Sequence, residues 1–345
     1  MRMPVIAVWA AVLLTYGVST GTAMVPSGSS QGQGRYAKAS RGSSKVPSRY
    51  QKASRASSPV ASGSSNIPSA SWQAPSGAGS SAGANTILRL DMAPNSVDDM
   101  YQGCKDKMYQ NLQELLANEK NKNPTFKGVW ESSEQWYDNK SKKSKPALGK
   151  DRLMAIYCYT FGGDNKVYLD FNTAVRTQKD QYTTTFRYHA LHFLLTDAIQ
   201  TLRERRLSNL APGEDRCVTG YRRVDTTFDQ VVNTQLRFGS FTSTSKDQYA
   251  NKYFGDKTCF KIYTCFGADV SMYSPYPEER EVLIPPYEVF KVVGVKKRSQ
   301  YKNLPCKVEY ELRSTGIGTR RNLNCDLFKK KRKCKILNHF KPCIG

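Results

Sequence analysis

Hydrophobic and polar positions change rhythm three times along the chain. Residues 5–14 (VIAVWAAVLL) are an almost unbroken apolar run, and residues 24–86 hold few large apolar side chains. From residue 87 onward apolar residues recur at regular intervals. In APNSVDDMYQGCKDKMYQNLQELLANEKNK, Ser96 precedes Asp99 by three positions, the pattern of a capped helix start, and Met108, Leu112 and Leu115 follow at helical spacing. A second helix is predicted over 184–206, where Leu191, Leu194, Leu195, Ala198, Ile199 and Leu202 form one stripe and the arginine-rich end suits the negative pole of the helix. After about residue 215 the texture becomes short segments rich in Val, Thr, Tyr and Phe, divided by Gly, Asp and Pro: CVTGYRRV, FGSFTSTS, TCFKIYTCF, REVLIPPYEVFKVVGVKK and KVEYELRS. Helices first and strands afterwards predict an α+β fold rather than a parallel βαβ array. Within YPEEREVLIPP, Pro285 and Pro286 forbid a helix and the β-branched run favours a strand, which would put Glu279 and Glu281 on one face about 7 Å apart, with Arg280 on the other.

Composition adds the boundaries. With 345 residues, 39% hydrophobic and 11% aromatic, there is material for one sizeable core flanked by tails. Residues 1–23 run from Arg2 through the apolar stretch to small residues, as a secretory signal peptide does, and the stretch is short for a membrane span. The end, NHFKPCIG, lacks the hydrophobic tail needed for lipid anchoring, so the expected mature protein is soluble and secreted. Residues 24–86 are rich in Ser, Gly and Pro and contain a 14-residue tandem repeat, RYAKASRGSSKVPS then RYQKASRASSPVAS, a composition that predicts disorder. The folded domain is expected over 87–327 and a basic tail over 328–345.

The formal net charge is +23, and after Arg2 and the acid-free basic residues of 24–86 and 328–345 are set aside, +8 remains for 87–327. Basic flanks of this kind are either solvated or adhere to polyanions such as cell-surface glycans; no base-reading motif points to specific nucleic-acid binding. Nine cysteines in an exported chain predict disulfides with one left over. None is arranged in paired CxxC clusters and the histidines are His189, His192 and His339, so no metal site is expected and Ser-His-Asp chemistry lacks its parts. His189 and His192 fall on the second helix, as surface or partly buried residues. No Gly-rich phosphate loop follows a strand, which argues against a Rossmann cofactor site. Asn139, in NKS, is the usable N-glycosylation sequon and predicts a surface loop.

Two carboxylates on one strand face are compatible with a solvated edge or with chemistry at a developing cation. The order of three pieces decides between them: Arg222 in GYRRV, Ser243 in FTSTS, and Glu279 and Glu281 in EERE. In this order the chain resembles the arginine-specific mono-ADP-ribosyltransferases of the vertebrate ecto-enzyme family, whose signature is an Arg, a Ser-x-Ser strand and a Glu-x-Glu. The likeness covers roughly residues 88–326 and includes LDMAPNSVDDMYQGC, FNTAVR, FRYHALHFLLTDAIQTL, FGSFTSTS and EVLIPPYEVFKV. It implies a helical N-terminal part packed on a β-rich NAD-binding core, and transfer of ADP-ribose from NAD(P) to arginines of extracellular proteins, with NAD a co-substrate and no permanently bound cofactor. Arg222 would then pair with the pyrophosphate, Ser243 would hold the nicotinamide ribose or orient the glutamate, Glu281 would face the anomeric carbon, and Glu279 would engage the acceptor guanidinium. Phe254 is the candidate for stacking on nicotinamide. The resemblance also implies disulfides Cys217–Cys265 and Cys104–Cys325, with Cys306 an alternative to Cys325 and the pairing of Cys158, Cys259, Cys334 and Cys343 open. Two departures stand out: Arg223, where the family usually has Gly, is expected to crowd or recharge the nucleotide site, and Glu278 adds a third acid. Two other readings of the chain remain, a NAD glycohydrolase with water as acceptor and a non-enzymatic basic secreted protein that binds polyanions or acts as an antimicrobial.

Overall fold

A computed structural model of the protein describes residues 87–141, 147–161, 167–249, 254–317 and 322–329. The expected leader, the tandem repeat and the basic tail beyond Lys329 lie outside the described residues. Among the described residues five α-helices follow a short first strand: α1 (Lys105–Lys122), α2 (Pro124–Ser141), α3 (Lys150–Thr160), α4 (Val167–Thr177) and α5 (His189–Ser208). The described residues also form ten strands: β1 (Ile87–Leu88), β2 (Val218–Val224), β3 (Thr227–Phe228), β4 (Gln235–Leu236), β5 (Thr242–Ser245), β6 (Thr258–Thr264), β7 (Ala268–Asp269), β8 (Glu281–Ile284), β9 (Glu288–Lys297) and β10 (Val308–Ile317). Eight of them form one mixed sheet in the order β4-β9-β10-β6-β2-β5-β8-β7, with β1 and β3 paired separately. Only β10 and β6 run parallel in the large sheet. Its edge strands, β4 and β7, have two residues each, and β4 covers only Phe290 and Lys291 of the ten-residue β9.

The first helix does not begin at the Ser96 signal. The Ser96 hydroxyl instead donates to the Gly239 carbonyl at 2.8 Å, and residues 96–104 cross the domain as irregular chain before α1 opens at Lys105. Two acids of this stretch, Asp98 and Asp99, tie the two ends of the domain together. Asp99 accepts the backbone N–H groups of Tyr101 and Cys325, at 2.8 and 2.9 Å. Asp98 accepts that of Leu323 at 2.8 Å and pairs with buried Arg237 at 2.6 Å. The Cys104–Cys325 disulfide closes the same clasp.

Helix α5 starts at His189, five residues after the predicted 184, and its N-terminal amides are taken by a side chain from another helix. Glu119 of α1 accepts the N–H of Ala190 at 2.6 Å and of Leu191 at 3.4 Å. Every residue of α5 from His189 to Ile199 is buried, and so is every residue of α3 from Leu153 to Thr160. Helices enclosed on all sides carry no polar face, which hides α3 from periodicity. His189 and His192 are therefore core residues rather than surface ones, and burial holds them neutral, with pKa values lowered to about 4 and about 3. One apolar cluster joins the helices to Phe241, Val270 and Leu283 of the sheet side, and a second holds Leu90, Phe238, Phe260, Phe290 and Leu312.

Candidate active site

Three neighbouring strands toward one side of the sheet, β2, β5 and β8, bear the candidate residues Arg222, Ser243 and Glu281. In β2, residues pair with β6 from Val218↔Thr264 to Val224↔Thr258, whereas β2 meets β5 at one pair, Tyr221↔Ser245. The approach is close: a Cβ on Gly220 would lie 2.1 Å from the Thr244 hydroxyl, so only glycine fits there. Strand β5 continues antiparallel to β8, pairing Ser243 with Leu283 and Ser245 with Glu281. Side chains on one face of a strand repeat every second residue, so Ser243 and Glu281 stand diagonally on the same face.

Arg222 reaches across from β2. Its Nη1 donates to the Ser243 carbonyl at 2.7 Å, and the side chain is almost fully enclosed. Burial lowers the guanidinium pKa to about 10, with Tyr159, Glu281 and Tyr168 opposing that shift. Glu281 is 0% exposed, and burial raises its carboxyl to about 8; the Ser243 hydroxyl and Arg222 pull it down, while Glu279 and Asp269 add to the rise. A carboxyl that burial keeps near its neutral form, within electrostatic range of an enclosed guanidinium, is set to respond to a ligand with a cationic centre and an anionic group.

A family model described as NAD:arginine ADP-ribosyltransferase matches residues 90–309. The chain belongs to this family. It is 37% identical over 274 residues to the erythroblast NAD(P)(+)--arginine ADP-ribosyltransferase of Gallus gallus, covering 78% of this chain and 84% of that one. It is 36% identical over 215 residues to ecto-ADP-ribosyltransferase 5 of Mus musculus, covering 60% and 68%. Among solved structures it is similar to the eucaryotic mono-ADP-ribosyltransferase ART2.2, with a TM-score of 0.55, 31% identity, and coverage of 70% of this chain and 100% of that one. A glutamate variant of ART2.2 solved in complex with NAD is similar to the same degree.

Within this family framework the predicted residues do not all sit where a simple strand would put them. Glu279 is not on the strand of Glu281. Pro277–Glu279 is a 3-10 turn, and Arg280 takes left-handed backbone angles, φ 46° and ψ 47°, so alternation begins only at Glu281. Glu279 is half-buried and close enough to raise the Glu281 pKa, and its carbonyl accepts the Ser245 hydroxyl at 2.8 Å. Arg280, bonded to Asp247 at 2.6 Å, fastens the turn to the end of β5. Glu278 is exposed.

Arg223 does not crowd the site. Neighbouring residues of a strand point to opposite faces, and its guanidinium donates to the carbonyls of Gly255, Tyr249 and Pro305 rather than meeting Ser243 or Glu281. Phe254 is half-buried against the helix-side apolar cluster. Asn139 is exposed, yet it lies in the last turn of α2 and not in a loop. Bridges join Cys104 to Cys325 and Cys217 to Cys265, and Cys306 pairs with Cys259 rather than substituting for Cys325. Among the described residues Cys158 is a free, buried thiol whose pKa is raised by burial.

Sequence reasoning gave no role to the aromatic wall of the site. The Tyr159 hydroxyl donates to the Phe241 carbonyl at 2.8 Å and accepts from Asn172 Nδ2 at 3.1 Å, and it also interacts with the Ser243 hydroxyl. Tyr168, likewise buried, is a neighbour of Arg222. The only signal was the FNTAVR block, which contains Asn172 but says nothing of its partner. Among the described residues no group of His, Cys, Asp or Glu is arranged to hold a metal ion, and no helix is long and apolar enough to cross a membrane.

Proposed function

We propose that this protein transfers ADP-ribose from NAD to arginine side chains of extracellular proteins, releasing nicotinamide, and that it is secreted. The observation that carries the reading is the fully enclosed Glu281 carboxyl, diagonal to Ser243, whose carbonyl the enclosed Arg222 guanidinium bonds. The family match and the arginine ADP-ribosyltransferase relatives support it.

The chemistry follows from the charges. NAD joins a cationic nicotinamide to C1′ of a ribose whose 5′ side carries a pyrophosphate. Arg222 offers two-pronged donors to that pyrophosphate, whose charge restores the full basicity that burial lowers. When the C1′–N bond breaks, its electron pair leaves with nicotinamide and positive charge develops on the ribose. Glu281, taken to its anionic form by that cationic centre, stabilises the charge and accepts the ribose 2′-hydroxyl; fixed electrostatics of this kind act chiefly in the transition state. Ser243, diagonal to Glu281 on the same face, holds the nicotinamide ribose or orients the carboxylate. An arginine guanidinium nitrogen then bonds to C1′ and loses a proton, for which Glu279, on its turn at the rim, is the acceptor. Incubating the chain with labelled NAD and a small guanidine tests the proposal: the expected products are nicotinamide and a guanidine–ADP-ribose adduct. Free ADP-ribose without adduct would make the chain a NAD glycohydrolase, and no turnover would leave the basic binding-protein reading.

A further inference from the structure

Arg223 is the residue of the motif strand that the proposed chemistry does not use, and its contacts form a pattern. Its Nε donates to the Gly255 carbonyl at 2.9 Å, Nη1 to Tyr249 at 3.2 Å and Nη2 to Pro305 at 3.1 Å. Tyr249 follows the serine strand, and Gly255 comes directly after Phe254 and just before β6. One guanidinium thus spans both ends of the connection from β5 to β6. Three separate carbonyls suit its planar fork, which a lysine ammonium does not reproduce.

The surroundings fix the same points. Tyr249 packs edge-on against Tyr221 with ring centroids 5.1 Å apart, in a buried cluster with Cys259 and Cys306, and these two cysteines are bonded to each other. Gly255 has φ +102°, and a Cβ there would come within 2.5 Å of the Asp225 backbone nitrogen. The end of β2 and the start of β6 therefore meet backbone to backbone beside the guanidinium. On the inner side, Phe254 packs against the cluster that contains Tyr159, Tyr168 and Phe241. The first two of these border Arg222, and Tyr159 also borders Ser243.

We infer that Arg223 is a positioning residue for NAD: by stapling Tyr249, Gly255 and Pro305 to β2 it holds Phe254 against the helix-side apolar cluster, to which Tyr159 and Tyr168 also belong, and so sets donor affinity without touching the donor. The inference rests on the proposed NAD site. It reverses the expectation drawn from the residue type alone, that a second arginine at this point weakens the site.

The test is nicotinamide release against NAD concentration for the wild type, Arg223→Gln, Arg223→Lys and, as a control, Arg298→Gln. Arg298 also bonds the Pro305 carbonyl, at 2.7 Å, but its other partners are Leu304 and Asp256, not Tyr249 or Gly255. Arg223→Gln is expected to raise KM for NAD about tenfold or more with kcat within about threefold, Arg223→Lys to fall between, and Arg298→Gln to keep the wild-type KM. Hydrogen exchange at Phe254 and Gly255, away from the Asp256 partner of Arg298, should quicken in Arg223→Gln and not in Arg298→Gln. An unchanged KM in Arg223→Gln, or an equal rise in Arg298→Gln, overturns the staple while leaving the site intact. A gain in activity also overturns it. A wild-type chain that releases no nicotinamide overturns the functional reading itself. Should Arg223→Gln not fold, Arg223→Lys, which keeps the charge and the stem, carries the same comparison.

Discussion

Replacing Glu281 by Gln should make the free protein more stable, by an amount that grows with pH. The carboxyl is raised from 4.5 to about 8, first by burial and then by Glu279 and Asp269, against the pull of Ser243 and Arg222. A folded-state value above the unfolded one means that the folded protein holds a proton that the unfolded chain releases. The stability linked to that proton is complete below about pH 4.5 and is lost as pH rises through about 8. One pKa unit corresponds to about 1.36 kcal/mol, so the shift bounds the loss at roughly 5 kcal/mol; relaxation around a buried charge leaves an expectation of about 1–3 kcal/mol. Gln has nearly the same shape and no charge to bury. Urea unfolding of both proteins at pH 5.5, 7 and 8.5, with disulfides intact, isolates the effect, because every other titrating group is common to the pair. The difference should be small at pH 5.5 and favour Glu281→Gln by about 1–3 kcal/mol at pH 8.5. Parallel curves across the three pH values would refute the account of Glu281 as a buried carboxyl held near neutrality.

Other consequences can be checked separately. Glu279→Gln should abolish adduct formation on a small guanidine while slow NAD hydrolysis persists, measured as adduct and free ADP-ribose in one reaction; parallel loss of both would move Glu279 into the donor machinery. Arg222→Lys should raise KM for NAD by about tenfold or more despite keeping its charge, because an ammonium cannot grip a pyrophosphate at two points, and steady-state kinetics report it directly. Removing the Cys104–Cys325 bridge as a double serine variant should cost about 5 kcal/mol in the chain-entropy picture, given its sequence separation of 221, and removing Cys259–Cys306, separated by 47, about 4 kcal/mol, both read from urea midpoints.

Much of the sheet was legible because β-branched and aromatic residues alternate with turn formers: the segments predicted around Arg222, Ser243, Glu281 and Glu309 coincide with β2, β5, β8 and β10. Helix α3 was not, since burial on every side from Leu153 to Thr160 erases the 3.6-residue signal. Ser96 misled because a hydroxyl followed by an acid is the same string whether it caps a helix or, as here, bonds a distant carbonyl at Gly239. Glu279 was put on a strand by spacing alone, and the left-handed backbone at Arg280, which breaks that spacing, has no marker when the residue is not glycine. The charge of Arg223 was visible and its direction was not; only three-dimensional structure gives the carbonyls it meets.

The central claim is that Glu281 stabilises the charge that appears as nicotinamide leaves. The measurement that addresses it most directly is the rate of nicotinamide release at saturating NAD for wild type and Glu281→Gln, with both proteins shown to be folded by their urea transitions. Loss of a preorganised charge at the reacting carbon predicts a fall of about 10²–10³-fold in that rate. A variant that keeps its turnover within a few-fold of wild type would contradict the account and move the chemistry away from this strand.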